Sequence, residues 1–515
     1  MSATIDPPAE SHLGRLAEQA FDRLGDYEVI SFEGRWYSFG GLLDRILRIS
    51  AGLTKLGLEA GDRAVVSMPN SPDVPVLYNA IWRAGGVVTP AMSILSEEEL
   101  RHVIGDSGAR MVVVSAELVE KVSRAVDGLD DVERIICVDS DQQQGTVPLA
   151  ELEGDARQAL VERRPTDIAA LLYTGGTTGR AKGVMLSHRN IDVASRILTE
   201  YERDFEVSRE LMVLPLAHSF GLLATLGILQ RTEPKVWAME RRFDPPRALA
   251  LIQEHALDEL QAVPSMIQMM LAEPLEDFDL SSFRVVYSGG SPLAPEAYHE
   301  FRRRVPSASI YEGYGLTENA TLLSCTPLGG ERIGSVGTAL PGVDVRIVDN
   351  DGAVVPDGEP GEILTRSAAV MLGYWRDQAN TAQALVDGWL ATGDIGRLDE
   401  DGYIYILDRK KELIIRGGFN VFPRDVEDRL LEHPAIRMAG VVGRPDADRG
   451  EEIVAFVVLK SGGTTTAAEI VEWSREHIGG YKYPREVHLR DSLPLTGVGK
   501  VDRKALRRTL APRET

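Results

Sequence analysis

Two cysteines in 515 residues, Cys137 and Cys325, are too few for a disulfide framework, and they have no metal-ligand spacing. Cations are in deficit as well: 56 lysines and arginines against 78 aspartates and glutamates give a formal charge of −22. Such a chain repels nucleic acid and anionic membranes, so any anionic ligand must be held by a local arrangement. No run of about 18 apolar residues occurs, which argues against integral membrane association. Met1 to Glu10 is acidic and proline-containing rather than basic then apolar, so no secretory signal is expected and a reducing cytoplasm fits. Internal repeats and low-complexity tracts are missing too, apart from the short loop Ser461 to Thr466. The length exceeds what one hydrophobic core fills and predicts at least two domains.

What is present is mostly an α/β pattern. Tyr27 to Tyr37 alternates around Glu33-Gly34 as a hairpin, and an amphipathic helix follows over Phe39 to Leu56. Strands at Ala64–Met68, Gly86–Pro90 and Arg110–Ser115 then alternate with helices at Val74–Ala84 and Glu97–Gly105. Further strands are expected at Leu211–Leu214, Glu259–Val263 and Phe283–Ser288. This alternation predicts parallel sheets covered by helices. From about Gly334 short β-prone runs, Val343–Val348, Gly361–Arg366 and Tyr403–Leu407, are separated by strong turn signals such as Asn350-Asp351-Gly352. Beyond Asp408 one helix (Pro423–Glu432), one strand (Glu452–Leu459) and another helix (Ala467–His477) suggest a compact α+β unit. The expected division is 1–408, with a β-rich part over about 334–408, followed by 409–515.

Five motifs carry chemistry. Tyr173-Thr174-Gly175-Gly176-Thr177-Thr178-Gly179-Arg180-Ala181-Lys182-Gly183 follows an apolar run. Glycines let backbone N–H groups approach an anion, the threonines add hydroxyl donors, and Lys182 adds charge, which is the composition of a phosphate loop. It is not a Walker A loop, because Gly183 and not Ser or Thr follows the lysine. Glu312-Gly313-Tyr314-Gly315-Leu316-Thr317-Glu318 offers an aromatic face for a base, a hydroxyl for a phosphate and a carboxylate for Mg²⁺. Asp394 ends Gly388 to Asp394, where a carboxylate can accept ribose hydroxyls. Asp408 to Gly418 is rich in charge, and Leu493 to Arg503 presents Lys500 on a glycine turn. Taken singly, each also suits an ordinary turn, and a lone late lysine is usually just solvated.

In this order the motifs resemble the adenylate-forming superfamily: acyl- and aryl-CoA synthetases, peptide-synthetase adenylation domains and beetle luciferases. The likeness covers nearly the whole chain. It implies a large N-terminal domain of two mainly parallel sheets with helices plus a small β subdomain, joined to a small mobile α+β C-terminal domain. It also implies that Thr174, Gly175, Gly176, Thr177, Thr178, Gly179 and Lys182 hold the β- and γ-phosphates of ATP. Tyr314 becomes the adenine platform within Gly290, Glu312, Gly313 and Gly315; Thr317 meets the α-phosphate, and Glu318 is the Mg²⁺ ligand. Asp394 and Arg409 hold the ribose, Lys411 is the pivot, and Lys500 reaches the carboxylate and α-phosphate. Gly417, Gly418 and Phe419 border the thiol tunnel. The acyl pocket is drawn from His218, Ser219, Phe220, Val263, Ser265, Ser288, Gly289, Gly290 and Leu316. The family often has Ser at the position of Gly175 and Pro at that of Ala181, and neither change removes the phosphate-binding logic.

The implied reaction is ATP-dependent activation of a carboxylic acid to acyl-AMP, then transfer to the thiol of CoA. Ala217, Ser219 and Gly221 supply no anion for an amine, which disfavours amino acids, whereas Gly289, Gly290 and the group Met266, Met269 and Met270 suit a medium or long fatty acid. The same methionines at helical spacing also suit plain core packing. His218 is either a wall of the acyl pocket or a structural histidine. An aryl acid is the alternative substrate, and an acyl carrier protein bearing phosphopantetheine is the alternative acceptor. No extra segment of the kind that hinders domain rotation in acyl-AMP ligases is visible, which favours CoA, with Arg416, Lys482 or Arg485 available to its 3′-phosphate. A luciferase-like monooxygenase is disfavoured by the end Pro512-Arg513-Glu514-Thr515, which lacks a peroxisomal address, and a dead scaffold by the retention of all five charged site residues. A homodimer is compatible with the sequence.

Overall fold

The computed structural model describes residues 11–157, 159–174, 180–417, 419–446, 449–460, 462–495 and 501–510. The chain divides into two compact units, one of residues 1–345 with 365–391 and the other of residues 346–364 with 392–515.

The first unit is built on two large sheets. In the nine-stranded sheet a parallel run, in spatial order Ser309–Tyr314, Val285–Ser288, Glu259–Ala262, Arg209–Met212, Val236–Met239 and Glu28–Phe32, is flanked by antiparallel edges. The hairpin expected around Glu33-Gly34 forms one of those edges, Glu28–Phe32 with Arg35–Ser38. The eight-stranded sheet runs Gly373–Tyr374, Lys182–Ser187, Ile168–Thr174, Val87–Pro90, Arg63–Ser67, Met111–Val114, Arg134–Cys137 and Val147–Pro148. Its interior strands Arg63–Ser67, Val87–Pro90 and Met111–Val114 are apolar along nearly their whole length because both faces are covered. Sequence periodicity does not single out the helix Ser219–Gln230. It is apolar on nearly every side and buried, so it has no polar face to mark a period.

After residue 343 the strands Asp344–Val348, Gly361–Arg366, Trp389–Leu398, Leu385–Val386 and Ile404–Arg409 form a five-stranded sheet, the β-rich segment that the turn signals predict. The last hundred residues hold more strand than the sequence pattern suggests. Ile436–Asp446 pairs along its length with Gly450–Leu459, and Ile414–Arg416, Phe419–Val421 and Glu486–Leu489 complete the sheet. Ile436–Asp446 escapes pattern reading because its buried run Ala439–Gly443 is continuous rather than alternating.

The first unit buries a charge cluster. Lys235 Nζ lies 2.7 Å from Glu259, 2.9 Å from Glu210 and 3.3 Å from Glu202, and Arg231 also pairs with Glu202. Lys235 and the three glutamates around its ammonium are no more than 4 % exposed at the side chain. Burial pushes the Glu210 and Glu259 carboxyls up, against the pull of Lys235. Burial alone would lower Lys235, but the three glutamates hold it above its ordinary value. A carboxyl whose folded pKa is raised contributes stability at low pH that is lost as pH rises through that folded value. Lys235→Met should therefore destabilise the unit by about 3–5 kcal/mol, the usual cost of breaking a buried pair. The deficit should be smaller at pH 5 than at pH 8, where the unpaired carboxylates stay charged; urea titrations at the two pH values check this.

Candidate active site

The pairing of Thr174 with Lys182 sets the geometry. Ile168–Thr174 and Lys182–Ser187 are antiparallel neighbours in register from Ala170–Leu186 to Thr174–Lys182, so the loop between them closes on a fixed base. Gly175, Gly176, Thr177, Thr178 and Gly179 lie outside the described residues. Tyr173 donates to Asp106 at 2.6 Å, and the Trp375 indole donates to the Asp106 carbonyl at 3.0 Å.

Tyr374 joins this loop base to the second motif. It lies on the short strand that pairs with Val184, its ring sits 5.0 Å from Lys182 Nζ, and its hydroxyl donates to Glu318 at 2.9 Å. The backbone is stitched in the same way: Met371 N–H donates to the Glu318 carbonyl at 2.8 Å and Trp375 N–H to the Gly183 carbonyl at 2.7 Å. Lys182 also acts on Asp377, whose pKa is lowered by the Asn380 amides and, less strongly, by the ammonium, against burial. Tyr374 was not foreseen from the sequence. It lies 56 residues beyond Glu318, and nothing in its local pattern signals a functional tyrosine.

Thr317 and Glu318 occupy a single helical turn, Thr317–Asn319, and the chain reverses after it through Ala320 and Thr321 at φ 47° and 108°. The reversal brings the Thr321 carbonyl so close to residue 315 that a Cβ there would lie 1.4 Å from its oxygen. Only glycine fits at Gly315. The Thr317 hydroxyl donates to Ser219 at 3.3 Å, at the start of the helix Ser219–Gln230. His218 is the N-cap of that helix, its Nδ1 accepting the Phe220 N–H at 3.4 Å, and its side chain is exposed.

The apolar wall is assembled from separate strand ends. A Cβ on Gly289 would lie 3.6 Å from the Phe220 ring and 3.5 Å from the Gly313 carbonyl, and one on Gly290 would lie 3.6 Å from Val263. Glu312 is buried and accepts the Leu293 N–H at 3.2 Å, which anchors the turn carrying Gly289 and Gly290. Ser288 is buried at the end of its strand, with no partner for its hydroxyl among the described residues. Ser265 and Leu316 are half-buried near their own turns, and Tyr314 ends the strand Ser309–Tyr314. Of the three methionines, Met270 belongs to the core, Met266 packs against it, and Met269 is exposed. For Met270 and Met266 the core-packing reading therefore applies.

In the second unit Asp394 and Arg409 face each other across paired strands, with Arg409 Nε 2.7 Å from Asp394 Oδ1. Asp394 is buried, its N–H held by Thr392, whose hydroxyl donates to the Ile363 carbonyl. Lys411 is exposed. Gly417 has φ 57°, and exposed Phe419 contacts the Tyr481 ring with centroids 5.3 Å apart. Gly418 and Lys500 lie outside the described residues. Arg416 is unavailable to a phosphate: it is buried and holds Glu452 through two nitrogens, at 2.6 and 3.1 Å. Lys482 pairs with Asp425 at 2.6 Å, and Arg485 stacks over the Tyr483 ring.

Thr174 and Lys182 paired at the base of a glycine- and threonine-rich segment, with Lys182 and Glu318 both held by Tyr374, suit a nucleotide-dependent enzyme of small molecules. Residues 16–375 match the AMP-binding enzyme family and residues 425–500 its C-terminal domain, and the chain belongs to that family. Among similar proteins, a long-chain-fatty-acid–CoA ligase of Bacillus subtilis is 33 % identical over 96 % of this chain and 93 % of its own. A 4-coumarate–CoA ligase-like protein of rice, Oryza sativa subsp. japonica, is 34 % identical over 95 % and 90 %. ATP-bound MatB from Rhodopseudomonas palustris, 32 % identical, superposes with a TM-score of 0.88 over 96 % of this chain and 98 % of its own. Among the described residues no helix is long and apolar enough to cross a membrane, and no group of three His, Cys, Asp or Glu could hold a metal ion.

Tyr374→Phe keeps the ring near Lys182 and removes the bond to Glu318. A hydrogen bond to a charged group is worth about 1.5–3 kcal/mol, so ATP-dependent pyrophosphate release should fall by about tenfold or more while the thermal midpoint stays near wild type.

Proposed function

We propose that this protein is an ATP-dependent acyl-CoA ligase that acts on a medium- or long-chain fatty acid. The observation that carries the substrate class is the wall formed by Phe220, Val263, Gly289 and Gly290, which presents no charged side chain and packs the two glycines against Phe220 and Val263. The residues beside it, Ala217, Ser219 and Gly221, offer no carboxylate to an amine. The fatty-acid ligase of Bacillus subtilis supports the same reading. An aryl acid is the second reading, favoured by the similarity to the rice 4-coumarate–CoA ligase-like protein.

In the first half-reaction a carboxylate oxygen of the acid attacks the α-phosphorus of ATP, the bond to the β-phosphate breaks, and pyrophosphate leaves. In the second a thiol attacks the acyl carbon, its proton is lost to solvent, and AMP leaves. The chain's residues act by position and charge rather than by proton transfer. Lys182, steadied by the Tyr374 ring, sits at the base of the loop for the β- and γ-phosphates and offsets charge on departing pyrophosphate. Thr317 donates to the α-phosphate, and Tyr314 gives the adenine a face. Asp394 accepts the ribose hydroxyls, with Arg409 holding the carboxylate in place. Lys500 stabilises the α-phosphate and the attacking carboxylate.

Glu318 fits Mg²⁺: it is a hard oxygen donor, one oxygen of which is oriented by Tyr374, and a single carboxylate completed by phosphate and water is the usual magnesium arrangement. When bound, the ion neutralises phosphate charge.

For the domain boundary, we take residues up to 408 as the adenylation domain and those from 409 as a lid that pivots about Lys411; the family matches end at 375 and resume at 425, which is compatible, whereas by packing residues 346–364 and 392–408 go with the C-terminal unit. Rotation then withdraws Lys500 and brings Gly417-Gly418-Phe419 to the thiol, the exposed Phe419 ring suiting a narrow channel. Free CoA in the cytoplasm is the acceptor in this reading, with Lys482 and Arg485 meeting its 3′-phosphate once they leave Asp425 and the Tyr483 and Gly480 carbonyls. A homodimer belongs to the same reading, and sedimentation tests it.

Pyrophosphate release and thioester formation, followed across fatty, aryl and amino acids with and without CoA, test the proposal. Fatty acids should give acyl-CoA with the highest kcat/KM. A clear preference for aryl acids would move the substrate class, and acyl-AMP that CoA leaves unconsumed would move the acceptor to a carrier protein. Lys500→Ala should depress adenylate formation far more than thiol transfer from supplied acyl-AMP, and equal losses would remove the lysine from its role.

A further inference from the structure

Arg503, the first residue of the helix Arg503–Leu510, gathers three carboxylates. Its Nε donates to Glu427 at 2.9 Å, and its Nη1 pairs with Asp408 at 3.2 Å and with Glu412. The Arg503 side chain is 14 % exposed and that of Asp408 2 %. Glu427 is tied down by the Val441 N–H at 2.7 Å. Asp408 accepts the N–H groups of Arg409 and Arg424, each at 2.8 Å, and Arg424 also donates to the Ile406 carbonyl at 3.3 Å.

These contacts separate once they are sorted by position along the chain. Glu412, Glu427, Arg424 and Arg503 all follow Lys411, whereas Ile406, Asp408 and Arg409 precede it. The pairs of Arg503 with Glu412 and Glu427 join residues on the same side. The bonds from Arg503 and Arg424 to Asp408 cross from one side to the other, and a rotation about Lys411 has to break them while leaving the first set whole.

We propose that Asp408 is a positioning residue, the acceptor half of a latch that holds the adenylation arrangement and is released for thiol transfer. The inference rests on the pivot reading above. The assignment to adenylation follows from what the latch joins. Asp408 directly precedes Arg409, the partner of Asp394. Arg503 is three residues beyond Lys500, and the stem of that loop is closed by the bridge of Leu495 with Val501 and by the Asp502 N–H donating to the Pro494 carbonyl at 2.8 Å. The latch therefore keeps the segment that leads to Lys500 beside the strand that carries Arg409. Release is not prohibitive, because Arg503 retains Glu412 and Glu427 and a freed carboxylate is readily hydrated. Asp408 is thus the member of the cluster whose contribution differs between the two states, and only such a differential interaction shifts an equilibrium.

The test compares the half-reactions in full-length enzyme: ATP–pyrophosphate exchange for adenylation, and acyl-CoA formation from supplied acyl-AMP for thiol transfer. Asp408→Asn keeps the side-chain shape and removes the charge that Arg503 reads. It should slow exchange by about tenfold, as expected for loss of a charge-assisted bond, with thiol transfer unchanged or faster. Glu412→Gln, on the far side of the pivot, should lower the thermal midpoint without altering the ratio of the two rates. Equal losses in both half-reactions for Asp408→Asn, or a ratio shifted as much by Glu412→Gln, would overturn the latch. Lys411→Pro separates this failure from that of the pivot, because proline fixes φ there. If Lys411→Pro loses thiol transfer and keeps exchange, the pivot stands and the Asp408 result judges the latch alone; if it depresses both alike, the pivot reading fails and the latch with it.

Discussion

The Tyr374 side chain is the contact that ties the Lys182 strand to the Glu318 turn in the first unit. One face of its ring takes the Lys182 ammonium and its hydroxyl takes the Glu318 carboxylate, so a cation and an anion are held near each other without forming a direct pair. That matters for the proposed polyphosphate site. A lysine neutralised by a glutamate would have to surrender a salt bridge before meeting its ligand, whereas a lysine held by an aromatic ring keeps its charge available. The backbone bonds from Met371 and Trp375 fix the tyrosine in turn, joining the 318 turn to the edge of the eight-stranded sheet.

The chain's acidity makes this local provision necessary. With a formal charge of −22, the average field opposes ATP, acyl-AMP and CoA alike. The fold meets this by sequestration in some places, as where Lys235 and Arg231 sit among Glu202, Glu210 and Glu259 in the interior. Elsewhere, Asp394 and Arg409 neutralise each other across a strand pair.

The parts of this arrangement that were legible in the sequence are those with local causes. The hairpin at Glu33-Gly34, the strands and helices from Arg63 to Val114 and the turn-rich β segment beyond Gly334 follow from alternation, helical period and turn chemistry. The segment from Thr174 to Lys182 was legible as a motif, since its residue types are unusual together, whereas Asp394 and Arg409 stood in separate motifs and their pairing appears only in the structure. Tyr374 and the buried Lys235 cluster were not, because their partners come from distant strands and their local sequence is ordinary. Arg416 misled for the same reason: a guanidinium in a basic stretch reads as an anion site until Glu452, 36 residues away, is seen to occupy it. Helix Ser219–Gln230 and strand Ile436–Asp446 were missed because long continuous buried runs remove the spaced polar positions by which a period is recognised.

The glycines on the two sides of the site are not equivalent, and this bears on how the enzyme can diversify. Gly315 is fixed by the Thr321 carbonyl, and Gly290, at φ 80°, is fixed by its backbone conformation. Gly289 is bound by neither: a methyl group there would meet Phe220 and Gly313 at ordinary contact distance. Gly315 and Gly290 are thus closed to other side chains, while residue 289 can take added volume without moving the main chain. In the proposed reading, changes of acyl preference have an open route at residue 289.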